Sequence, residues 1–148
     1  LAISYSRGDY LARLDDDDGW FPDHLQISLD ALRATGAEFV PSQATLPDGS
    51  ASPNYRLDDP YYGPPTRAKH DPPVMGSPIT WVYRRHLRNL RYDPWSWALA
   101  HNRPADINLS LRMWQSGVRI IFSDHVGAQI GARKNSGVWG LRGFLSEQ

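Results

Sequence analysis

The chain carries the run Leu14-Asp15-Asp16-Asp17-Asp18-Gly19-Trp20-Phe21-Pro22, in which four carboxylates follow a mostly apolar segment, residues 10–14. Four adjacent negative charges repel one another, and no fold requires them. A divalent cation would offset that repulsion, and Mg²⁺ and Mn²⁺ prefer carboxylate oxygens and commonly bridge to phosphates. We therefore predict a metal site where a strand ends, and a phosphorylated ligand that shares the metal.

An isolated acidic run is usually a solvated turn. Here the elements predicted on either side of the run favour a binding site instead. Residues 9–14 are predicted to form a strand buried on both faces. A helix should begin near Pro22 and end at Gly36, followed by a strand over residues 37–40. The apolar positions of that helix share one face: Leu25, Leu29 and Leu32. The order strand, acidic turn, helix, strand predicts an α/β unit, and ligands of such sheets bind where strands end.

The rest of the chain has a less regular pattern. Residues 41–73 are rich in Pro and Gly and are predicted to be a long loop. Strands are expected over residues 79–83 and 118–122, and a helix over residues 106–116. Residues 123–148 contain recurring glycines and are predicted to be a flexible C-terminal segment.

The composition limits the kind of protein. At 148 residues the chain is one domain or part of one, and its sixteen acidic and sixteen basic residues give no bulk attraction to nucleic acid. The absence of cysteine excludes disulfides and thiolate metal sites. No apolar run approaches the roughly 20 residues that span a bilayer, so we expect neither a nucleic-acid partner nor a transmembrane segment in this chain.

Two single residues have a structural and a functional interpretation each. Asp106 begins the second predicted helix, where it is either an N-cap or first-turn aspartate or a general base at the mouth of a cleft. His125 follows a predicted strand, and it is either structural or a further contact to the metal or a phosphate. Spacing alone does not decide between these alternatives.

Basic and aromatic residues supply further candidates. Arg133 and Lys134 lie among the C-terminal glycines, where they are either solvated or able to close over a diphosphate. Trp95 and Trp97 alternate around Ser96, so at most one of the two is expected to be buried. The other could form a stacking platform for a sugar ring in an acceptor.

Residues 8–22 resemble the pattern Gly-[Glu/Asp]-Tyr-Ile-x-x-Leu-Asp-x-Asp-Asp-x-Trp-x-Pro around the DxD motif of the family 2 glycosyltransferases. Residues 37–40, 80–85 and 105–117 resemble later segments of that family in the same order. The resemblance implies an α/β fold, an incomplete GT-A (Rossmann-like) mixed sheet flanked by helices. It also implies that this chain is the C-terminal portion of the catalytic domain, without the N-terminal nucleotide-binding part.

The resemblance assigns roles to four aspartates. Asp17 would coordinate a Mn²⁺ or Mg²⁺ ion that bridges the donor diphosphate. Asp15 and Asp16 would contact the ribose or sugar of the donor, or they would support the metal site. Asp106 matches the general base of inverting members, although the glutamate that usually precedes that base is Ala105 here. The histidine of the family's C-terminal loop has no clear match, because His125 comes too early in the chain.

The implied function is metal-dependent transfer of a sugar from a nucleoside-diphosphate sugar to an acceptor hydroxyl with inversion, and UDP-linked sugars are candidate donors. The acceptor would be a saccharide, a lipid-linked molecule or a protein, as in polysaccharide biosynthesis. The expected location is the cytoplasm, including the inner face of the membrane. Two alternatives stay open: a retaining GT-A transferase, and a non-catalytic module that binds carbohydrate or cations.

Overall fold

A computed structural model describes residues 2–58, 72–93, 95–96 and 104–131. The three helices are α1 (Ala2–Tyr5), α2 (His24–Thr35) and α3 (Ala105–Gln115). The eight strands are β1 (Tyr10–Ala12), β2 (Gly19–Trp20), β3 (Phe39–Val40), β4 (Ser42–Thr45), β5 (Tyr55–Arg56), β6 (Val74–Met75), β7 (Val82–Arg84) and β8 (Ser123–Gln129). Short 3₁₀ turns at Pro78–Thr80 and Arg85–Asn89 flank β7. In the described part of the chain, no helix has the length and apolar character that crossing a membrane requires.

One three-stranded sheet lies between α2 and α3. β7 is its central strand and pairs antiparallel with both β1 and β3, so β1 and β3 run in the same direction. On one face, Phe39 and Tyr83 pack in a buried cluster that includes Leu109 of α3. On the other face, Val82 packs with Leu32 of α2. The strand–helix–strand unit that the sequence predicts around the acidic run is therefore present.

A second three-stranded sheet is mixed. Its central strand, β8, pairs antiparallel with β2 and parallel with β4. β2 occupies Gly19–Trp20, between the acidic run and the predicted helix, where no strand was predicted. The predicted helix instead begins at His24, directly after its N-cap residue Asp23, and ends as expected before Gly36.

Two predicted loops contain strands, so those predictions are wrong in part. The segment 41–73 contains β4 and β5, and the segment 123–148 contains β8. In β4 the buried positions alternate with half-buried ones, but the buried residues are Ser42 and Ala44. Because these side chains are small or polar, the sequence shows no alternation of apolar residues there.

The prediction of a strand over residues 118–122 is also wrong. Only Ile120 forms a bridge there, with Phe39, and the strand begins at Ser123. The apolar residues of this segment serve the two cores instead: Val118 packs in the cluster with α3, and Ile121 packs in the cluster with α2. The first strand is also less buried than predicted, because Ala12 is exposed.

The buried face of α2 differs from the predicted apolar face. Its buried residues are His24, Ser28 and Leu32, whereas Leu25 is 39% exposed. His24 is fully buried, and its Nδ1 lies 3.1 Å from Nε2 of His125 on β8. A Cβ atom at Gly127 would lie 2.2 Å from that Nδ1, so β8 can pack this closely only with glycine there. Polar residues thus fill the contact between α2 and the second sheet.

Because His24 is buried beside His125, we predict that the free energy of unfolding of the chain is lower in mild acid than at neutral pH. Burial, together with the nearby His125, lowers the pKa of His24 from 6.5 to about 4. The unfolded chain therefore binds a proton more readily than the folded chain, and stability falls as the pH drops from about 6.5 through about 4. A shift of that size corresponds to about 3 kcal/mol, and urea unfolding at pH 7.5 and pH 4.5 measures it.

Variants of two histidines control this experiment. His24→Gln removes the group that titrates, so its free energy of unfolding should change less between the two pH values than that of the wild type. His86→Gln alters an exposed histidine that pairs with Glu38, and it should retain the wild-type loss. An equal loss in wild type and His24→Gln would contradict the assignment to His24.

Candidate active site

A cavity of about 570 Å³ lies where the acidic turn, defined as Asp15, Asp16, Asp17 and Asp18, meets the beginning of α3. Its walls come from the turn, the 3₁₀ turn before β7, the segment after Arg85–Asn89 and the end of β8. The lining residues are Arg13, Asp15, Asp17, Asp18, Ser77, Pro78, Ile79, Tyr92, Pro104, Ala105, Asp106 and Ile130. Two predicted features distant in sequence, the acidic turn and Asp106, therefore share one cavity.

Backbone and side-chain hydrogen bonds place the acidic turn at this position. The Asp18 amide donates to the Asp15 carbonyl over 3.3 Å, which closes the turn between β1 and β2. Immediately after it, the indole N–H of Trp20 donates to the Ile79 carbonyl over 2.7 Å. The turn is thus fixed to the segment that forms the opposite wall.

Asp18 connects the acidic turn to the end of β8. Its Oδ1 accepts a hydrogen bond from the Gly131 amide over 2.7 Å. Burial, together with the charges of Asp17 and Asp15, raises the pKa of Asp18, although the Gly131 amide and Arg13 oppose that shift. Burial is the main cause of this rise, and repulsion between the adjacent carboxylates, which the sequence suggested, adds to it. A cation in the cavity would relieve that repulsion.

Asp15 is already paired with a positive charge. Arg13 donates from Nε to Asp15 Oδ1 and from Nη2 to Oδ2, each over 3.1 Å. The third guanidinium nitrogen donates to the hydroxyl of Tyr92. Sequence reasoning did not select Arg13 or Tyr92 as site residues, and the available signal was an arginine inside an otherwise apolar strand segment.

Asp106 lies in the first turn of α3, and it faces the cavity. The N-cap position belongs to Pro104, and Asp106 is an acidic residue of the first turn, as the structural alternative included. Its charge reaches Tyr92: burial raises the pKa of that phenol, and Asp106 adds to the rise while Arg13 opposes it. The half-buried carboxylate of Asp106 can accept a proton from a molecule in the cavity.

The donor atoms of the cavity suit a hard divalent cation. Asp17 lines the cavity, and its carboxylate forms no hydrogen bond or ion pair with another described residue. Among the described residues, no group of three or more Asp, Glu or His side chains is arranged to hold a metal. Mg²⁺ commonly takes only one or two carboxylates together with phosphates and water, so Asp17 with one neighbour is sufficient.

The structure does not bring every predicted site residue to this cavity. Asp16 is exposed, and it is not among the lining residues. His125 contacts His24 and Ser123 and is not among the lining residues of this cavity, so its role as a metal or phosphate contact stays a prediction. Trp95 is 71% exposed and is also outside the lining. The remaining predicted residues, Trp97, Arg133 and Lys134, lie outside the described residues.

Sequence comparisons assign a family to the segment that contains the acidic turn. A sequence profile described as glycosyl transferase family 2 matches residues 1–92, which include the acidic turn and Tyr92 but not Asp106. A comparison with curated proteins found no match.

Solved structures support the fold over most of the chain. The crystal structure of S. aureus TarS 1–349 in complex with UDP-GlcNAc aligns with a TM-score of 0.58 at 15% identity, over 91% of this chain and 38% of that one. A second crystal structure of TarS 1–349, whose description names no ligand, aligns with a TM-score of 0.54 at 15% identity. The alignment covers 87% of this chain and 37% of that one. A longer TarS structure gives 0.55 at 16% identity, over 90% and 23%.

This chain thus spans less than two fifths of the structures it resembles. At such low identity the likeness establishes the fold, which confirms the predicted mixed α/β arrangement of the GT-A type. The profile match covers more than half of the chain and includes the segment from which the sequence argument started. The chain belongs to glycosyl transferase family 2.

Proposed function

We propose that the cavity is the donor site of a glycosyltransferase that moves a sugar from a nucleoside-diphosphate sugar to an acceptor hydroxyl with inversion. The observation that carries this proposal is that Asp106 lines the same cavity as Asp15, Asp17 and Asp18. Carboxylates for a cation and a carboxylate for a proton are the two groups such a transfer requires. The family match and the UDP-GlcNAc complex of a protein with the same fold support a UDP-linked donor.

The acidic turn would bind the diphosphate side of the donor. Asp17 would hold Mn²⁺ or Mg²⁺, and the ion, when bound, neutralises charge on the departing nucleoside diphosphate. Asp15 would accept hydrogen bonds from hydroxyl groups of the donor, because each of its oxygens retains a lone pair beyond the bond to Arg13.

Asp106 would act as the general base. It would remove the proton from the acceptor hydroxyl while that oxygen attacks the anomeric carbon. Attack from the face opposite the leaving group inverts the configuration at that carbon. The leaving group and the base must then lie on opposite sides of the sugar, so the sugar would lie between the acidic turn and the start of α3, which both line the cavity.

The acceptor would be a saccharide, a lipid-linked molecule or a protein, as in polysaccharide biosynthesis. The exposed ring of Trp95 would offer it a stacking surface beyond the donor cavity. The cytoplasm, including the inner face of the membrane, is the location we propose for the reaction. A retaining transferase would use the same metal motif without Asp106 as the base, and it is the second candidate.

The direct test incubates the full chain with UDP-, GDP- and dTDP-linked sugars, with Mn²⁺ or with EDTA. Release of nucleoside diphosphate is measured, and NMR gives the anomeric configuration of the product. We expect Mn²⁺-dependent release from a UDP-linked sugar and an inverted product. A retained configuration would favour the second candidate, and cation binding without turnover of any donor would indicate a non-catalytic module.

A further inference from the structure

Arg13 occupies both oxygens of one carboxylate of the acidic turn. Its Nε and Nη2 atoms donate to Oδ1 and Oδ2 of Asp15, each over 3.1 Å. A bidentate guanidinium–carboxylate pair is geometrically specific and stronger than a single hydrogen bond. The pair is only partly exposed, with 34% of the Arg13 side chain and 42% of the Asp15 side chain accessible, so solvent screens it incompletely.

Tyr92 holds Arg13 from the opposite side. The Tyr92 hydroxyl accepts a hydrogen bond from Arg13 Nη1, and the guanidinium carbon lies 5.1 Å from the centre of the Tyr92 ring. Tyr92 follows the 3₁₀ turn Arg85–Asn89, and it is far from Arg13 in sequence. Two segments of the fold therefore fix the direction in which Arg13 points.

The pairing of Arg13 with Asp15 changes which carboxylates of the cavity are left to bind a cation. Four carboxylates line the cavity, and Arg13 is the sole basic side chain among the described lining residues. Arg13 pairs with Asp15, and the Gly131 amide binds Asp18, so among the carboxylates of the turn that line the cavity Asp17 is the one without such a partner in the described part of the chain. An unpaired Asp15 would instead offer a second strong ligand to any cation bound by Asp17.

We propose that Arg13 is a positioning residue that reserves Asp15 for the donor and leaves Asp17 to bind the metal ion. The inference rests on the metal-dependent donor site proposed above. In this arrangement Asp15 keeps a fixed orientation and accepts hydroxyl groups of the donor, and the ion stays loosely enough held to contact the diphosphate. Tyr92 contributes by fixing Arg13.

Binding of Mn²⁺ alone tests this proposal without any turnover. Loss of the hexaaqua Mn²⁺ signal in electron paramagnetic resonance gives the affinity of the full chain. Arg13→Gln should bind Mn²⁺ about tenfold more tightly than the wild type, because removing a positive charge frees a carboxylate beside the ion. Arg13→Lys should bind Mn²⁺ like the wild type, since it keeps the charge. Unchanged or weaker binding by Arg13→Gln would overturn the proposal.

A double-variant comparison separates this effect from a general change in the fold. Adding Asp15→Asn to Arg13→Gln should abolish the gain in Mn²⁺ affinity, because the freed carboxylate is then absent. Arg33→Gln is the matched control, as Arg33 is exposed on α2 and pairs only weakly with Asp30 at 3.6 Å. It should leave Mn²⁺ affinity unchanged, and a gain equal to that of Arg13→Gln would overturn the proposal.

Tyr92→Phe provides a second variant if Arg13→Gln does not fold. It keeps the ring and removes the hydroxyl that anchors Arg13, so Mn²⁺ should bind about twofold to threefold more tightly. No gain in this variant would count against the proposal.

A donor measurement distinguishes failure of this inference from failure of the proposed function. With UDP-GlcNAc as probe, Arg13→Lys should raise KM more than it lowers kcat, because the monodentate ammonium no longer fixes Asp15. If no variant and no wild-type protein turns over any nucleotide sugar while the Mn²⁺ shifts appear as expected, the proposed function fails. Only the effect of Arg13 on the metal ion then stands, namely that its pairing with Asp15 keeps that carboxylate from the ion. If turnover is normal and Mn²⁺ affinity does not shift, the role of Arg13 fails alone.

Discussion

Replacing Asp17 with asparagine is expected to lower sugar transfer about 100-fold or more and to weaken Mn²⁺ binding. Asparagine has nearly the same shape but carries no charge, so it is a poor ligand for a hard cation. A bound ion contributes several kcal/mol by neutralising charge that develops on the leaving group, and each 1.4 kcal/mol corresponds to a factor of ten. Initial rates at saturating Mn²⁺ and donor, with electron paramagnetic resonance for the ion, measure both effects.

Asp9→Asn is the matched control for this experiment. Asp9 lies at the other end of β1, where its 84% exposed side chain reaches Arg85 over 3.5 Å. This change removes one carboxylate near the same strand without touching the cavity, so rate and Mn²⁺ affinity should stay near the wild-type values. If Asp17→Asn behaved like Asp9→Asn, Asp17 would not be the metal ligand.

Replacing Asp106 with asparagine is expected to lower kcat by about 10²- to 10⁴-fold while the KM for the donor changes little. General base catalysis contributes an acceleration of about this size. Asparagine cannot accept the proton of the acceptor hydroxyl, and it leaves the start of α3 otherwise intact. Steady-state kinetics with varied donor and varied acceptor separate the effect on kcat from an effect on binding.

The Asp106 experiment has a control on another helix. Asp30 is exposed on α2, where it pairs with Arg33, and Asp30→Asn should retain wild-type kinetics. Full turnover by Asp106→Asn would show that this aspartate is a first-turn residue of the helix without a role in proton transfer. Hydrolysis of the donor without acceptor provides a further check, because water can replace the acceptor hydroxyl and should show the same dependence on Asp106.

The sequence was sufficient to locate the unit around the acidic turn. Pro22, the spaced leucines and Gly36 mark a helix by local chemistry, and the structure has that helix at His24–Thr35. α3 is likewise found within one residue of its predicted ends, at Ala105–Gln115. These elements were accessible because their signals lie within a few residues of one another.

Strands formed by small or polar residues could not be predicted in the same way. β4 and β8 pair with each other although the paired residues lie more than eighty positions apart, and their buried positions include Ser42, Gly127 and Ala128. Their burial comes from tertiary packing against His24 and β2, which no local pattern shows. The prediction of the buried face of α2 was wrong for the same reason, because a histidine and a serine occupy that face together with Leu32.

The acidic residues of the candidate site were predicted from the sequence, but the contacts that hold them in place were not. The sequence indicated Asp17 and Asp106, and the structure adds that both line one cavity. It could not indicate that Arg13 pairs with Asp15, because an arginine two residues before an aspartate has many possible partners. Tyr92 meets Arg13 only through the fold, since 79 residues separate them.

The most direct test of the account is a crystal structure of the full chain with UDP and Mn²⁺, read by the anomalous signal of manganese. The account predicts an anomalous peak in contact with the Asp17 carboxylate, and a diphosphate in the cavity between the acidic turn and the start of α3. Manganese bound elsewhere, or a diphosphate outside this cavity, would contradict the assignment of the donor site.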